Sequence, residues 1–148
     1  MISGDNDVLV RMAVTEDLER IKLLADSHKS ELGFLIRGAI RKSIDNHEVY
    51  TADHLSFGVC GFVQYRYRRD EQTTLYNIVV DPAYRGLGLG RRLLDALVAD
   101  AVQHHKGYIQ LKCPSELPAN GFYRHCGFEL VQIEEGKLRA LNVWRLQL

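Results

Sequence analysis

Two stretches of this chain carry residues whose types and spacing can do chemistry. The first is Arg85-Gly86-Leu87-Gly88-Leu89-Gly90-Arg91-Arg92. Its glycines end where a helical stripe opens, with Leu89, Leu93, Leu94, Leu97, Val98, Ala101 and Val102 on one side. A glycine turn that runs into a helix start leaves several main-chain N–H groups without helical partners, and such groups bind anions, phosphate above all. The arginines strengthen the case. A first helical turn favours acids, yet Arg91 and Arg92 stand here, Arg85 precedes them, and no acid comes before Asp95. A tight turn with merely solvated arginines is the plain alternative. The glycine spacing is not G-x-G-x-x-G and no G-K-[ST] follows, which argues against a Rossmann-held dinucleotide or an NTP. The second stretch is Asn120-Gly121-Phe122-Tyr123-Arg124-His125-Cys126-Gly127-Phe128, a short helical segment with Gly127 as its left-handed stop.

Together these stretches resemble the GNAT superfamily of N-acyltransferases. Val80-Asp81-Pro82 followed by R-x-x-G-x-G (Arg85, Gly88, Gly90) is similar to that superfamily's acyl-CoA pyrophosphate signature. The Asn120–Phe128 run is similar to its second motif, N-x-F-Y-x-x-x-G-F, and the two lie in the family's order, about thirty residues apart. The resemblance implies acetyl-CoA as co-substrate and no metal. It implies a diphosphate gripped by the N–H groups of Gly86, Leu87, Gly88, Leu89, Gly90 and Arg91, with help from Arg85. It also implies a bulge in the strand near Ile78, Val79 and Val80, where a backbone N–H faces the thioester oxygen, and a splay between that strand and the Tyr108–Cys113 strand for the pantetheine arm. Tyr123 takes the general-acid role by motif position. A phenol near pKa 10 can protonate a thiolate whose acid has a pKa near 8.5; a tyrosine packed on the sheet beside Phe122 is the alternative. Asn120 either bonds the pantetheine arm or caps locally. The family often places a glutamate near the start of the central strand, where this chain has Thr74, which cannot act as a base. Glu71, Glu31 and His125 are the substitutes considered, together with a water chain or an amine of low pKa. Cys113 is not needed for direct transfer and reads as a small buried hydrophobe.

The elements that must position these residues follow from pattern. Val8–Val14 is expected as a strand and Glu16–His28 as a helix capped by Thr15, with His28 structural. Phe34–Asn46 is a second helix, and Glu31 and Phe34 stand where the resemblance implies an acceptor wall. His47–Ala52 and Phe57–Arg69 are strands, the latter with Val59, Gly61, Val63, Tyr65 and Tyr67 on one face and a bulge suggested by Gly58 and Gly61. Tyr65-Arg66-Tyr67-Arg68-Arg69 interleaves aromatics with bases, as single-strand nucleic-acid grooves do, but strand alternation accounts for it equally. Leu75–Val80, the Leu89 helix, Tyr108–Cys113, the Glu116–Cys126 helix, Phe128–Ile133 and Leu138–Leu146 complete the order β-α-α-β-β-β-α-β-α-β-β. The expected fold is α/β (α+β), a GNAT-like, mostly antiparallel mixed sheet of about seven strands with helices on both faces.

Composition bounds the function. The 148 residues suit one domain, 1–148. Lysine plus arginine equal aspartate plus glutamate at 19 each, which weighs against nucleic acid as the main partner. Cys60, Cys113 and Cys126 are odd in number and follow no C-x-x-C pattern, which suits a reducing, cytoplasmic setting. No secretory pattern and no membrane-length apolar run occurs. Adjacent His104 and His105 project apart and make a poor metal pair. The expected activity is acetyl transfer to a primary amine of a small molecule or peptide. Acylation of a macromolecule (protein lysine, N-terminus or aminoacyl-tRNA) and a non-catalytic acyl-CoA-binding module are the alternatives. The sequence leaves the oligomeric state open, a homodimer included.

Overall fold

Hydrophobic alternation and one crossover helix build the molecule around a single twisted sheet. The structure, a computed structural model, describes residues 7–32 and 35–148. The expectation at Phe34 lies outside those residues, as does the side chain of Glu31. In chain order the elements are β1 (Val8–Met12), α1 (Leu18–Ser27), the one-turn α2 (Lys29–Leu32), α3 (Arg37–Asp45), β2 (Val49–His54), β3 (Gly58–Tyr67), β4 (Gln72–Val80), α4 (Leu89–Gln103), β5 (Tyr108–Pro114), α5 (Ala119–His125), β6 (Glu129–Glu135) and β7 (Ala140–Gln147). The sheet order is β1-β2-β3-β4-β5-β7-β6. Only β4–β5 is parallel, because α4 carries the chain across the sheet between them.

Both faces are covered, as expected. On one, Tyr65, Leu75, Leu93, Leu97, Ile109 and Trp144 form a core beneath α4 and α5. On the other, Ile21, Leu24, Ile40, Ile44, Phe62 and Val79 pack beneath α1 and α3. β3 lies mid-sheet and is buried on both faces, so its run of apolar residues is nearly continuous.

Three local expectations need correction. Thr15 does not cap the first helix. A 3₁₀ turn over Thr15–Asp17 precedes α1, and Asp17 accepts the Val14 N–H at 2.8 Å while gripping Arg11 at 2.8 and 2.9 Å. β2 does not end at Ala52 but runs on through Asp53 and His54, paired with Leu9 and Val8. The alternation along β3 breaks at Cys60, the unpaired residue between Val59, opposite Asp53, and Gly61, opposite Ala52. Parity therefore flips: Val59 joins Phe62 in one core while Cys60 joins Val63 and Tyr65 in the other. A bulge is there, next to Gly61, and the glycine itself answers to a close approach on the β4 side. A Cβ on Gly61 would stand 2.8 Å from the Val79 carbonyl oxygen.

Candidate active site

The glycine turn is built by the end of β4. Asp81 accepts the Ala83 N–H at 2.9 Å and starts a 3₁₀ turn over Pro82–Tyr84, which hands the chain to Gly86 and Gly88. Both lie in the left-handed region, with φ of +82° and +76°. A Cβ at either would meet nothing within 4 Å, so the space above the turn is open. The first helical hydrogen bond runs from the Arg92 N–H to the Gly88 carbonyl at 3.1 Å. Hence, among the described residues, no N–H from Gly86 to Arg91 has a main-chain partner. The arginines are not loose. Arg91 pairs with Asp95 one turn on at 3.1 Å, and Arg92 reaches the Val8 carbonyl at 2.9 Å. Arg85 donates from Nε to the Val80 carbonyl at 3.3 Å, and its Nη2 lies 3.1 Å from His28 Nε2. His28 is buried, with Nδ1 3.0 Å from the Leu24 carbonyl. A carbonyl only accepts and a guanidinium only donates, so His28 is the neutral Nδ1–H tautomer and serves structure.

Beside this turn the sheet opens. β4 and β5 pair only at Gln72–Tyr108, Thr73–Ile109 and Thr74–Gln110, although β4 continues to Val80 and β5 to Pro114. The splay expected between these strands is therefore present. The Asp81 N–H bonds the Cys60 carbonyl at 2.8 Å, toward β3. Alternation then turns the Val79 N–H the same way and aims those of Ile78 and Val80 into the gap. The bulge in β4 is not at Ile78–Val80. It lies at Tyr76, between Leu75 opposite Tyr65 and Asn77 opposite Gln64. Because of it Leu75, Ile78 and Val80 all face the α4 core despite their mixed parity.

Tyr123 lies on α5, in the same core as Leu111 and Cys113 of β5. It is 7% exposed, edge-on to Phe122 and Phe128 at 5.6 and 5.7 Å. Burial raises its phenol well above the ordinary value, and nearby Cys113 and Cys126 push the same way. Phe122 packs beneath the turn, its ring 3.3 Å from where a Gly90 Cβ would stand. Of the two readings of Asn120, contact with the pantetheine arm or a local role, the hydrogen bonds show the local one, inside α5 rather than at its cap. Its Nδ2 reaches the Leu117 and Pro114 carbonyls at 2.8 and 2.9 Å, and its Oδ1 accepts from Trp144 at 2.8 Å and Asn142 at 3.1 Å. Burial pushes the Cys113 thiol up to about 11, which makes it a poor nucleophile.

Thr74 is no base. Its Oγ1 accepts from Arg68 Nε at 3.0 Å and from Gln72 Nε2 at 2.8 Å. Glu71 lies against Gly107, on the turn into β5, and His125 is exposed at the end of α5. Two clefts flank Tyr76 instead. One, about 620 Å³, runs over Arg68, Asp70, Thr74 and Gln110. The other, about 440 Å³, lies over Lys42, Glu48, Gln64, Arg66 and Asn77. Gln64 ties the floor of the second together, donating to Ser43 at 2.9 Å and accepting from Asn77 at 2.7 Å. Glu48, Asp70 and Arg68 were not legible here as site residues, because in sequence Arg68 reads as the wet face of a strand; it lies just past the end of β3, on the wall of the first cleft. Among the described residues no three His, Cys, Asp or Glu side chains converge as a metal site, and no helix is long and apolar enough to cross a membrane.

A seven-stranded sheet with one splayed parallel pair, a run of main-chain N–H groups without main-chain partners after β4 and a buried phenol on α5 defines a mixed α/β class of fold. The model of the acetyltransferase (GNAT) domain matches residues 45–130, more than half of the chain, and the chain belongs to that family. A histone acetyltransferase of Glycine max, TAP1, is 39% identical over 56 residues, which are 38% of this chain and 23% of that protein. The chain thus spans about a quarter of that relative's length. Ard1 of Thermoplasma volcanium superposes with a TM-score of 0.84 at 17% identity, covering 96% of this chain and 98% of that one. YncA of Salmonella typhimurium, solved with acetyl-CoA, gives 0.79 at 19% identity, covering 96% and 94%.

Proposed function

We propose that this chain is an acetyl-CoA-dependent N-acetyltransferase that acts on a primary amine by direct transfer. One convergence supports this reading above all. The run of N–H groups without main-chain partners from Gly86 to Arg91 follows directly on the splayed end of β4, and Leu89, Cys113 and Tyr123 belong to one core on one face of the sheet. The residues fit the group. Six successive amides lack main-chain partners among the described residues, with open space above Gly86 and Gly88 for a diphosphate, and the N–H groups of Ile78 and Val80 offer strand-like bonds to an extended pantetheine arm.

The proposed chemistry divides among the chain's own groups. The turn fixes the diphosphate, and a gap-facing N–H of β4 stabilises charge on the carbonyl oxygen as the amine attacks. The C–N bond forms, the C–S bond breaks, and Tyr123 gives its proton to the departing sulfur while the amine loses one. Burial keeps Tyr123 protonated for that task. Thermal unfolding with and without acetyl-CoA, combined with thiol release over an amine panel, tests the reading. A shift with release supports it. A shift without release from any amine favours a binding module, and no shift removes the site.

A further inference from the structure

We propose that Arg68 is the anchor for a carboxylate on the acceptor, so that the acceptor is a small amino acid rather than a simple amine. This deepens the acetyltransferase reading and rests on it. The observation is the company Arg68 keeps. Its Nε donates to Thr74 Oγ1 at 3.0 Å and its Nη2 to Tyr76 Oη at 2.7 Å, and both partners are neutral. The guanidinium is therefore held in one place with its charge uncancelled, and Nη1 and the second Nη2 hydrogen remain to bind. Of the other charges around this cleft, Arg69 and Asp70 are exposed on the turn after β3 and make no ion pair with Arg68 among the described residues. Lys112 is paired with Glu134 at 3.0 Å, and Asp70 accepts the Gln72 N–H at 2.9 Å.

Position 74 is what makes this arrangement. A glutamate there would pair with Arg68 and neutralise it. Threonine orients the same guanidinium without consuming its charge, and Gln72 Nε2, 2.8 Å from the same oxygen, fixes the hydroxyl. Arg66 lies two residues back on β3, exposed on the same face beside the neighbouring cleft, and adds to the positive potential there. A planar, pre-oriented fork just past the end of β3, at the wall of a cleft beside the β4–β5 gap, suits bidentate capture of a carboxylate.

The test compares α-, β- and γ-amino acids with their carboxamides as acceptors, read as thiol release from acetyl-CoA. In the wild type at least one amino acid is expected to exceed its amide roughly tenfold or more in kcat/KM, the scale of one charge-assisted bidentate contact. Arg68→Gln is expected to erase that margin by raising KM for the acid, leaving the amide's KM and the thermal shift with acetyl-CoA unmoved. Thr74→Glu, which supplies Arg68 with an internal carboxylate, is expected to do the same, and Arg68→Lys to keep part of the preference. Equal use of acid and amide, a preference that survives Arg68→Gln, or acetylation of peptides or carboxylate-free amines alone would overturn the inference while leaving the acetyltransferase intact. Loss of the acetyl-CoA shift in the wild type would take both down.

Discussion

Tyr123 is where a single atom decides between enzyme and binding module. Its ring fills a space between Phe122 and Phe128 that a phenylalanine fills equally well, so Tyr123→Phe removes the hydroxyl and little else. Turnover is expected to fall about 10²-fold or more, the usual worth of a positioned general acid, with acetyl-CoA affinity unchanged by titration. Undiminished turnover would take Tyr123 out of the chemistry. Its neighbour in the motif teaches the opposite lesson. Asn120 and Tyr123 are equally prominent as letters, but Asn120 spends its amide on the chain carbonyls of Pro114 and Leu117 and on Trp144. Hydrogen-bond demand of that kind is set by what lies nearby in space, and no spacing rule along the chain carries it. Arg68 was hidden for the same reason, since its meaning depends on Thr74 and Tyr76 across the strand pair.

At the scale of elements, the turn and the helix it opens make separable predictions. Gly88→Val places a β-branched side chain at φ +76°, a strain of about 1–2 kcal/mol that the turn can relieve only by moving its amides. The expected result is loss of acetyl-CoA binding by calorimetry, in a protein whose sheet still forms by circular dichroism. Gly90 is ordinary helix, and a valine there collides with Phe122 at 3.3 Å rather than straining the backbone. That collision is transmitted to α5, so Gly90→Val is expected to lower turnover at least as much as affinity. The first helix offers a stability prediction. Burial alone would raise the Asp17 carboxyl, but the Arg11 guanidinium and the Val14 N–H outweigh it and hold it below the usual range. A carboxylate depressed in the folded state stabilises above its unfolded pKa, near 3.9, and that contribution fades as pH falls through the folded value. Asp17→Asn is therefore expected to cost about 1–3 kcal/mol in urea unfolding at pH 7 and to converge with the wild type in acid; a gap independent of pH would mean lost packing instead. Element order and type were readable because long amphipathic stripes and alternating strands announce themselves. The bulges were legible only in outline, the one at Cys60 hinted at by Gly58 and Gly61 and the one at Tyr76 expected nearer Ile78–Val80, since each inserts one residue where two strands meet, and pairing is a property of both.

For the molecule as a whole, the open question is where the amine's proton goes, and the layout of acids around the gap frames it. Thr74 holds two donors and cannot accept a proton from substrate, Glu71 packs against Gly107, and His125 faces solvent beyond α5. If no protein base serves, the amine must arrive neutral. Then kcat/KM rises tenfold per pH unit until the amine's own pKa and levels off there, because Tyr123, held protonated by burial, adds no alkaline limb below that point. Two acceptors whose pKa values differ by about two units are expected to give profiles displaced by the same two units. A midpoint that stays fixed while the amine changes would instead report a group on the protein. Asp70 and Glu48 would then be the first to replace with asparagine and glutamine, being the carboxylates that line the two clefts beside Tyr76. The variant that lost the fixed limb would name the base.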